Sequence, residues 1–281
     1  KDVSTENAEK GKDYSRKLLD KKVSRGRMTT EAQEETLSRI TATASAADLA
    51  GCDLIIEAVF EDSALKARVT EEAEPEQFIG LHFFSPVDKM QLVEIIVGEK
   101  TSDDTLARAF DYVQQIGKIP IVVNDSRGFF TSRVFGTFVN EGVAMVREGI
   151  HPASIENAGL LAGMPVGPLA VCDEVSLTLI QHVRNQSRKD IEATGQNWQA
   201  HPAESVIDAL VNEHDRKGKA AGGGFYDYPA SGKKHLWPEL AALFTQPEAT
   251  QTADLQTLKD RLLFIQAIET VRCLEEGVLR T

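Results

Sequence analysis

A chain of 281 residues with 42% apolar and 26% charged side chains has the composition of a folded, water-exposed protein with room for two separate cores. Its formal net charge of −12 excludes a broad basic surface built to neutralise nucleic-acid phosphates, so an anionic ligand has to be held by local positive groups. No apolar run approaches the roughly 20 residues that span a bilayer, and the N-terminus lacks the charged-then-apolar pattern of a secretion signal, so a cytoplasmic protein is expected.

Ser4 or Thr5 is placed to cap a helix running through "ENAEKGKDYSRKLLDKKVSRG", and Thr29 and Thr30 precede a second, "EAQEETLSRI". A short β-rich piece, "ITATA", follows. The run "CDLIIEAVF", opened by Gly51 and rich in Ile and Val, predicts a strand buried on both faces of a parallel sheet. "SALKARVTEEAE" has helical spacing, while "FIGLHFF", "MQLVEIIVG" and "IPIVVND" predict further strands, with the helix "SDDTLARAFDYVQQIG" before the last of them. Strands alternating with helices predict βαβ units and a doubly wound sheet.

From Asp125 the pattern becomes helical. "GFFTSRVFGTFVNEGVAMVREG" puts Val134, Phe135, Phe138, Val139, Val143 and Val146 on one face, with Gly149 as the stop. Further helices are expected at about 153–162, 175–194 and 203–215, and the tail "DLQTLKDRLLFIQAIETVRCLEEGVLR" is again amphipathic. "KGKAAGGGFYDYPASGKK" reads as a Gly-rich loop. Its Gly222 to Phe225 allow either a phosphate-cradling nest or a mobile connection, the second being commoner. Cys52, Cys172 and Cys273 are odd in number and widely separated, which fits a reducing compartment. His151, His182, His201, His214 and His235 share no spacing with Cys or acidic residues, so no metal site is expected.

The chemistry concentrates in residues 78–102. His82 ends one predicted strand and Glu94, twelve positions on, lies within the next, so adjacent strands can bring them together. An imidazole titrates near working pH and can take a hydroxyl proton, and a carboxylate behind it fixes its tautomer and stabilises the imidazolium. Most His–Glu pairs in neighbouring strands are structural, so spacing alone leaves both readings open.

"GLHFFSPVDKMQLVEII", then "IGKIPIVVNDSRGFFTSRV", then "AGMPVGPLAVCDEVSL" resemble, in order and spacing, the 3-hydroxyacyl-CoA dehydrogenase family, and in particular the dehydrogenase segment of multifunctional fatty-acid oxidation α-subunits. The resemblance covers nearly the whole chain. It implies NAD as cofactor and oxidation of an L-3-hydroxyacyl-CoA to the 3-ketoacyl-CoA, with His82 as base and Glu94 as its carboxylate partner. It also implies that Asp2 holds the adenine ribose and that Glu61 and Lys66 line the cofactor. Read without it, Asp2 is a solvated terminal charge, Glu61 a helix-start residue and Lys66 a surface cation. On the substrate side, Ser85 and Ser132 stand where relatives commonly carry Asn, and Tyr226 is a candidate acyl-CoA contact. Ser offers one donor where Asn offers a carbonyl and an amide, so polarisation of the 3-oxygen differs here.

The implied architecture is an α/β Rossmann-type N-terminal domain, residues 1–124, lacking its first strand and GxGxxG phosphate loop in this sequence, followed by an all-α domain, 125–228. Residues 229–281 are expected to form a linker and the start of a second helical repeat. Relatives also carry a strand and a Ser-Asn-Thr-Ser turn where the chain here joins at Pro75-Glu76, and those residues are expected to be missing from this sequence rather than deleted from the protein. The acyl-CoA substrate is expected to be accompanied by a homodimer contact or a thiolase subunit, and an enoyl-CoA hydratase domain is expected outside this chain. Two alternatives stand beside this reading: a stand-alone 3-hydroxybutyryl-CoA dehydrogenase, and a catalytically silent, crystallin-like relative, against which the retained His82 and Glu94 count.

Overall fold

The computed structural model describes residues 1–56 and 75–280. Two compact units divide the chain, Lys1–Glu72 and Ala73–Thr281.

In the first unit, helices α1 (Thr5–Ser24) and α2 (Thr30–Ser38) begin where expected. Ser4 Oγ accepts the Asn7 amide at 3.2 Å, and Thr29 Oγ1 accepts that of Ala32 at 3.2 Å. Gln33 and Leu37 are the buried residues of α2, and Gln33 Nε2 donates to Asp20 Oδ1 of α1 at 2.6 Å. The expected strand "ITATA" does not form; among the described residues, the Asp2 amide donates to the Thr43 carbonyl at 3.1 Å. Nor do the described residues of "CDLIIEAVF" form a strand, and Leu54, Ile55 and Ile56 are 50%, 61% and 60% exposed. Strand backbone needs a neighbour for its N–H and C=O groups, and none of the described residues of this unit supplies a paired strand. The rest of that run, and the helix expected at "SALKARVTEEAE", lie outside the described residues.

The second unit opens on a sheet of β1 (Gly80–Phe83), β2 (Leu92–Val97) and β3 (Ile119–Asn124), in that order. Connection 84–91 is too short for a crossover, so β1 runs antiparallel to β2. Between β2 and β3 the helix α3 (Asp103–Gln115), capped by Ser102, makes the crossover and the two strands are parallel. The sheet is therefore mixed, antiparallel at β1 and parallel between β2 and β3. Val93 through Val97 are buried without alternation, as befits a strand covered on both faces, and Val93 and Ile95 pack with Ala109 and Val113 of α3.

The helical layer follows as α4 (Thr131–Arg147), α5 (Pro152–Leu161), α6 (Pro168–Val175), α7 (Leu177–Ala193) and α8 (Ala203–Asp208). Of the predicted apolar face of α4, Phe138, Val139, Val143 and Val146 are buried, whereas Phe135 is 38% exposed. The helix expected at 175–194 instead starts after Ser176, whose φ of 89° ends α6 and opens α7. Beyond α8 the chain continues as a π-helical turn, Ala209–Glu213.

The glycine-rich segment is neither an anion nest nor a loose connection. Asp173, 1% exposed, accepts the amides of Phe225 and Tyr226 at 2.8 Å each and the Tyr228 hydroxyl at 3.1 Å, and Phe225 is fully buried. A Cβ on Gly224 would lie 1.8 Å from Asp173 Oδ1, so glycine there lets backbone reach an internal carboxylate rather than a phosphate.

A two-residue hairpin, β4 (Tyr226–Asp227) with β5 (His235–Leu236), leads to short helices α9 (Pro238–Phe244) and α10 (Pro247–Thr252) and to the final helix α11 (Leu255–Glu275). Asp254 caps α11 through the Thr257 amide. Arg133 of α4 ties to Glu269 and Glu276 at 2.6 Å each. The residues after α11 then return to the sheet: the Val278 carbonyl accepts the Asn124 amide at 2.8 Å, and Leu279 bridges Val123.

Candidate active site

His82 and Glu94 face each other across the β1–β2 register. Directly opposed residues of an antiparallel pair project to the same face, which is why two side chains twelve positions apart meet. His82 Nδ1 lies 2.6 Å from Glu94 Oε2, with Glu94 fully buried and the His82 side chain 32% exposed. An ionised carboxylate only accepts, so Nδ1 carries the proton and Nε2 keeps its lone pair for an incoming hydroxyl. Phe84 and Phe129 place their rings 4.7 and 5.6 Å from the imidazole, enclosing it with apolar surface. Phe129 does so from a φ of 47°, a conformation rare for a non-glycine residue and one that marks a constrained position.

The sequence reading missed what holds Glu94. Helix α4 begins at Phe130 with no side-chain cap of its own. Its first amides turn instead to the strand: Phe130 and Thr131 N–H donate to Glu94 Oε1 at 3.1 and 2.9 Å, and the Thr131 hydroxyl donates to Oε2 at 2.6 Å. Glu94 thus acts as the cap of a helix 36 residues downstream, where the partial positive charge of the helix end favours a carboxylate. Burial pushes the Glu94 carboxyl up, but hydrogen bonds from His82 and Thr131 outweigh this and hold it below its ordinary range. The signal was present in the sequence as a helix start, Phe129-Phe130, without Ser, Thr, Asp or Asn at the capping position.

The other expected site residues are more scattered. Ser85 is exposed immediately after β1, and Ser132 is exposed in the first turn of α4, next to the residue that binds Glu94. Tyr226 sits in the helical part, where its hydroxyl donates to Oε2 of the buried Glu156 at 2.6 Å. Glu61 and Lys66 lie outside the described residues.

In the first unit Asp2 is exposed, with Oδ1 taking the Val3 amide at 2.6 Å and its own amide anchored on Thr43. An anchored, exposed carboxylate can accept hydrogen bonds from a ribose diol and repels a 2′-phosphate, so its acceptor chemistry suits NAD. Among the described residues no group of three or more His, Cys, Asp or Glu is placed to hold a metal ion. His151 and His201 instead accept the amides of Ala153 and Ala203 at helix starts, each at 3.2 Å.

Comparison with known proteins matches a model of the 3-hydroxyacyl-CoA dehydrogenase NAD binding domain to residues 1–74 and 70–126, and one of the 3-hydroxyacyl-CoA dehydrogenase C-terminal domain to residues 128–228. A fatty acid oxidation complex subunit alpha of Shewanella sp. strain W3-18-1 is 33% identical over 99% of this chain, which spans 42% of that relative's length. Among solved structures, (S)-3-hydroxybutyryl-CoA dehydrogenase of Ralstonia eutropha superposes with a TM-score of 0.70 at 27% identity, over 81% of this chain and 89% of that one. The 3-hydroxybutyryl-CoA dehydrogenase of Escherichia coli K12 gives a TM-score of 0.69 at 27% identity, over 83% of this chain and 54% of that one.

Proposed function

The chain belongs to the 3-hydroxyacyl-CoA dehydrogenase family, and on that premise we propose that it oxidises an L-3-hydroxyacyl-CoA to the 3-ketoacyl-CoA, with His82 as general base and Glu94 as its orienting partner. The observation that carries this reading is the 2.6 Å bond from His82 Nδ1 to a fully buried carboxylate, which leaves Nε2 basic on a partly exposed ring. His82 takes the 3-hydroxyl proton as the C–H bond at C3 breaks, and Glu94 stabilises the imidazolium that results. NAD, when bound, supplies the acceptor for the hydride. Asp2 is assigned to the adenine ribose, and Glu61 and Lys66 to the cofactor cleft. Ser85 and Ser132, exposed just beyond β1 and within the first turn of α4, are the candidates for polarising the 3-oxygen.

The domain division at 1–124, 125–228 and 229–281 is part of the same proposal. So is a place within a larger fatty-acid oxidation subunit, supported by a match over 99% of this chain to 42% of such a relative. Hydratase activity and a thiolase partner then belong outside these residues. No described helix is long and apolar enough to cross a membrane, and the free thiols of Cys52, Cys172 and Cys273 support a reducing, cytoplasmic setting.

Oxidation of NADH by acetoacetyl-CoA, followed by loss of nicotinamide absorbance, tests the reaction in reverse. His82→Gln is expected to lower kcat by about 10²–10⁴-fold, the usual contribution of a general acid–base group, with the melting temperature retained. A folded, full-length wild-type protein with no turnover excludes the dehydrogenase reading in favour of a silent relative.

A further inference from the structure

We propose that Thr131 is a positioning residue that sets the proton affinity of His82 by sharing the carboxylate oxygen on which the imidazole rests. The inference builds on the reading of His82 as the base. Glu94 has two oxygens and four donors. Oε1 is occupied by the Phe130 and Thr131 amides, which the helix backbone holds in place. Oε2 is divided between His82 Nδ1 and the Thr131 hydroxyl, both at 2.6 Å.

A threonine in a helix ordinarily turns its hydroxyl back to a carbonyl three or four residues earlier. Thr137 does this, donating to the Val134 carbonyl at 2.7 Å. Thr131 gives its proton to the strand carboxylate instead. Each donor on Oε2 withdraws charge from the oxygen, so the hydroxyl weakens the acceptor left for the imidazolium. The imidazole then releases its proton at a lower pH than the His82–Glu94 pair alone would set.

The charged surroundings leave this balance to Thr131. From β3 the register partner of Glu94 is Ile121, which carries no charge. On α4 the nearest cation in sequence, Arg133, is committed to Glu269 and Glu276 of the α11 segment. Also from α11 comes Cys273, a buried thiol whose proton is held first by burial and, against the lowering effect of Arg133, by Glu269, Glu276 and Glu94. A protonated thiol adds no charge beside the pair.

The test is a titration of the His82 ring by NMR, with the resonance assigned through His82→Gln, in the wild-type full chain and in Thr131→Val and Thr131→Ser. The pH profile of kcat/KM for acetoacetyl-CoA reduction is measured in parallel. Removing one hydrogen bond that discriminates between the two charge states moves the midpoint by about half to one pH unit. Thr131→Val is expected to shift both the His82 midpoint and the basic limb for reduction, in which His82 gives up its proton, to higher pH, raising kcat/KM for reduction about three- to tenfold on the basic side. Thr131→Ser, which keeps the hydroxyl, restores both. Coincident midpoints in wild type and Thr131→Val overturn the proposal, as does failure of serine to restore them; should valine impair folding, Thr131→Ala gives the same readout. The NMR titration needs no turnover, so a chain that shifts as expected yet is inactive refutes the dehydrogenase reading alone.

Discussion

Glu94→Gln separates orientation of the base from the architecture of the site. Gln keeps the shape of Glu and has one carbonyl oxygen to place. The Phe130 and Thr131 amides are fixed by helix α4, and an NH₂ group turned toward them leaves buried donors facing donors, at about 1–3 kcal/mol each. The carbonyl therefore takes the Oε1 position, and the NH₂ faces His82 and the Thr131 hydroxyl. Thr131 can rotate its hydroxyl to accept. His82 has to accept at Nδ1, which moves its proton to Nε2 and removes the lone pair aimed at substrate. Amide replacement of the orienting carboxylate in a hydrolase triad, which enforces the wrong tautomer in the same way, lowers kcat by about 10⁴-fold. A loss of about 10³–10⁴-fold is expected here, equivalent to about 4–5.5 kcal/mol of transition-state stabilisation. KM is expected to stay within about threefold, because the imidazole keeps its position and loses its proton acceptor. Steady-state NADH oxidation by acetoacetyl-CoA gives both constants, and a melting curve shows that the fold is intact. A folded Glu94→Gln protein with kcat within tenfold of wild type refutes the tautomer argument.

The buried carboxylates of the helical layer set a pH dependence of stability with the opposite sign from Glu94. Burial raises Asp173 from 3.8 to about 6 despite bonds from Phe225, Tyr226 and Tyr228, and burial likewise raises Glu156. A raised folded-state pKa means that the folded protein holds the proton more tightly, so this stabilisation is complete below about pH 4 and lost as pH rises through about 6. For Asp173 the change is up to about 3 kcal/mol. Glu94, held low, contributes in the other direction and loses its stabilisation on acidification. Urea denaturation between pH 4 and 7 is expected to show a weaker fall in stability with pH for Asp173→Asn than for wild type; parallel curves count against the assignment. At Gly224 the backbone has ordinary φ, but an added Cβ falls 1.8 Å from Asp173 Oδ1, so Gly224→Ala is expected to cost about 3 kcal/mol by overpacking. Gly222 has φ of 85° with open space around it, and Gly222→Ala is expected to cost about 1 kcal/mol through backbone strain alone. Equal losses in the two variants, read by the same denaturation, exclude the close-approach explanation.

Local pattern alone was enough to determine the two strands, the short link between them and hence the meeting of His82 with Glu94. A strand's period and a loop too short for a crossover are properties of neighbouring residues. The long helix after Gly128 and the amphipathic tail helix were legible for the same reason. Tertiary structure decided the rest. Thr131 and Phe130 reach Glu94 across 37 and 36 residues of chain, and Asp173 draws in Phe225 across 52, pairings that no local period encodes. Likewise "ITATA" has strand composition yet gains no ladder, because β structure requires a partner backbone that composition does not supply. The sequence set an imidazole and a carboxylate on neighbouring strands, and the packing of α4 against the sheet specified how many donors share that carboxylate.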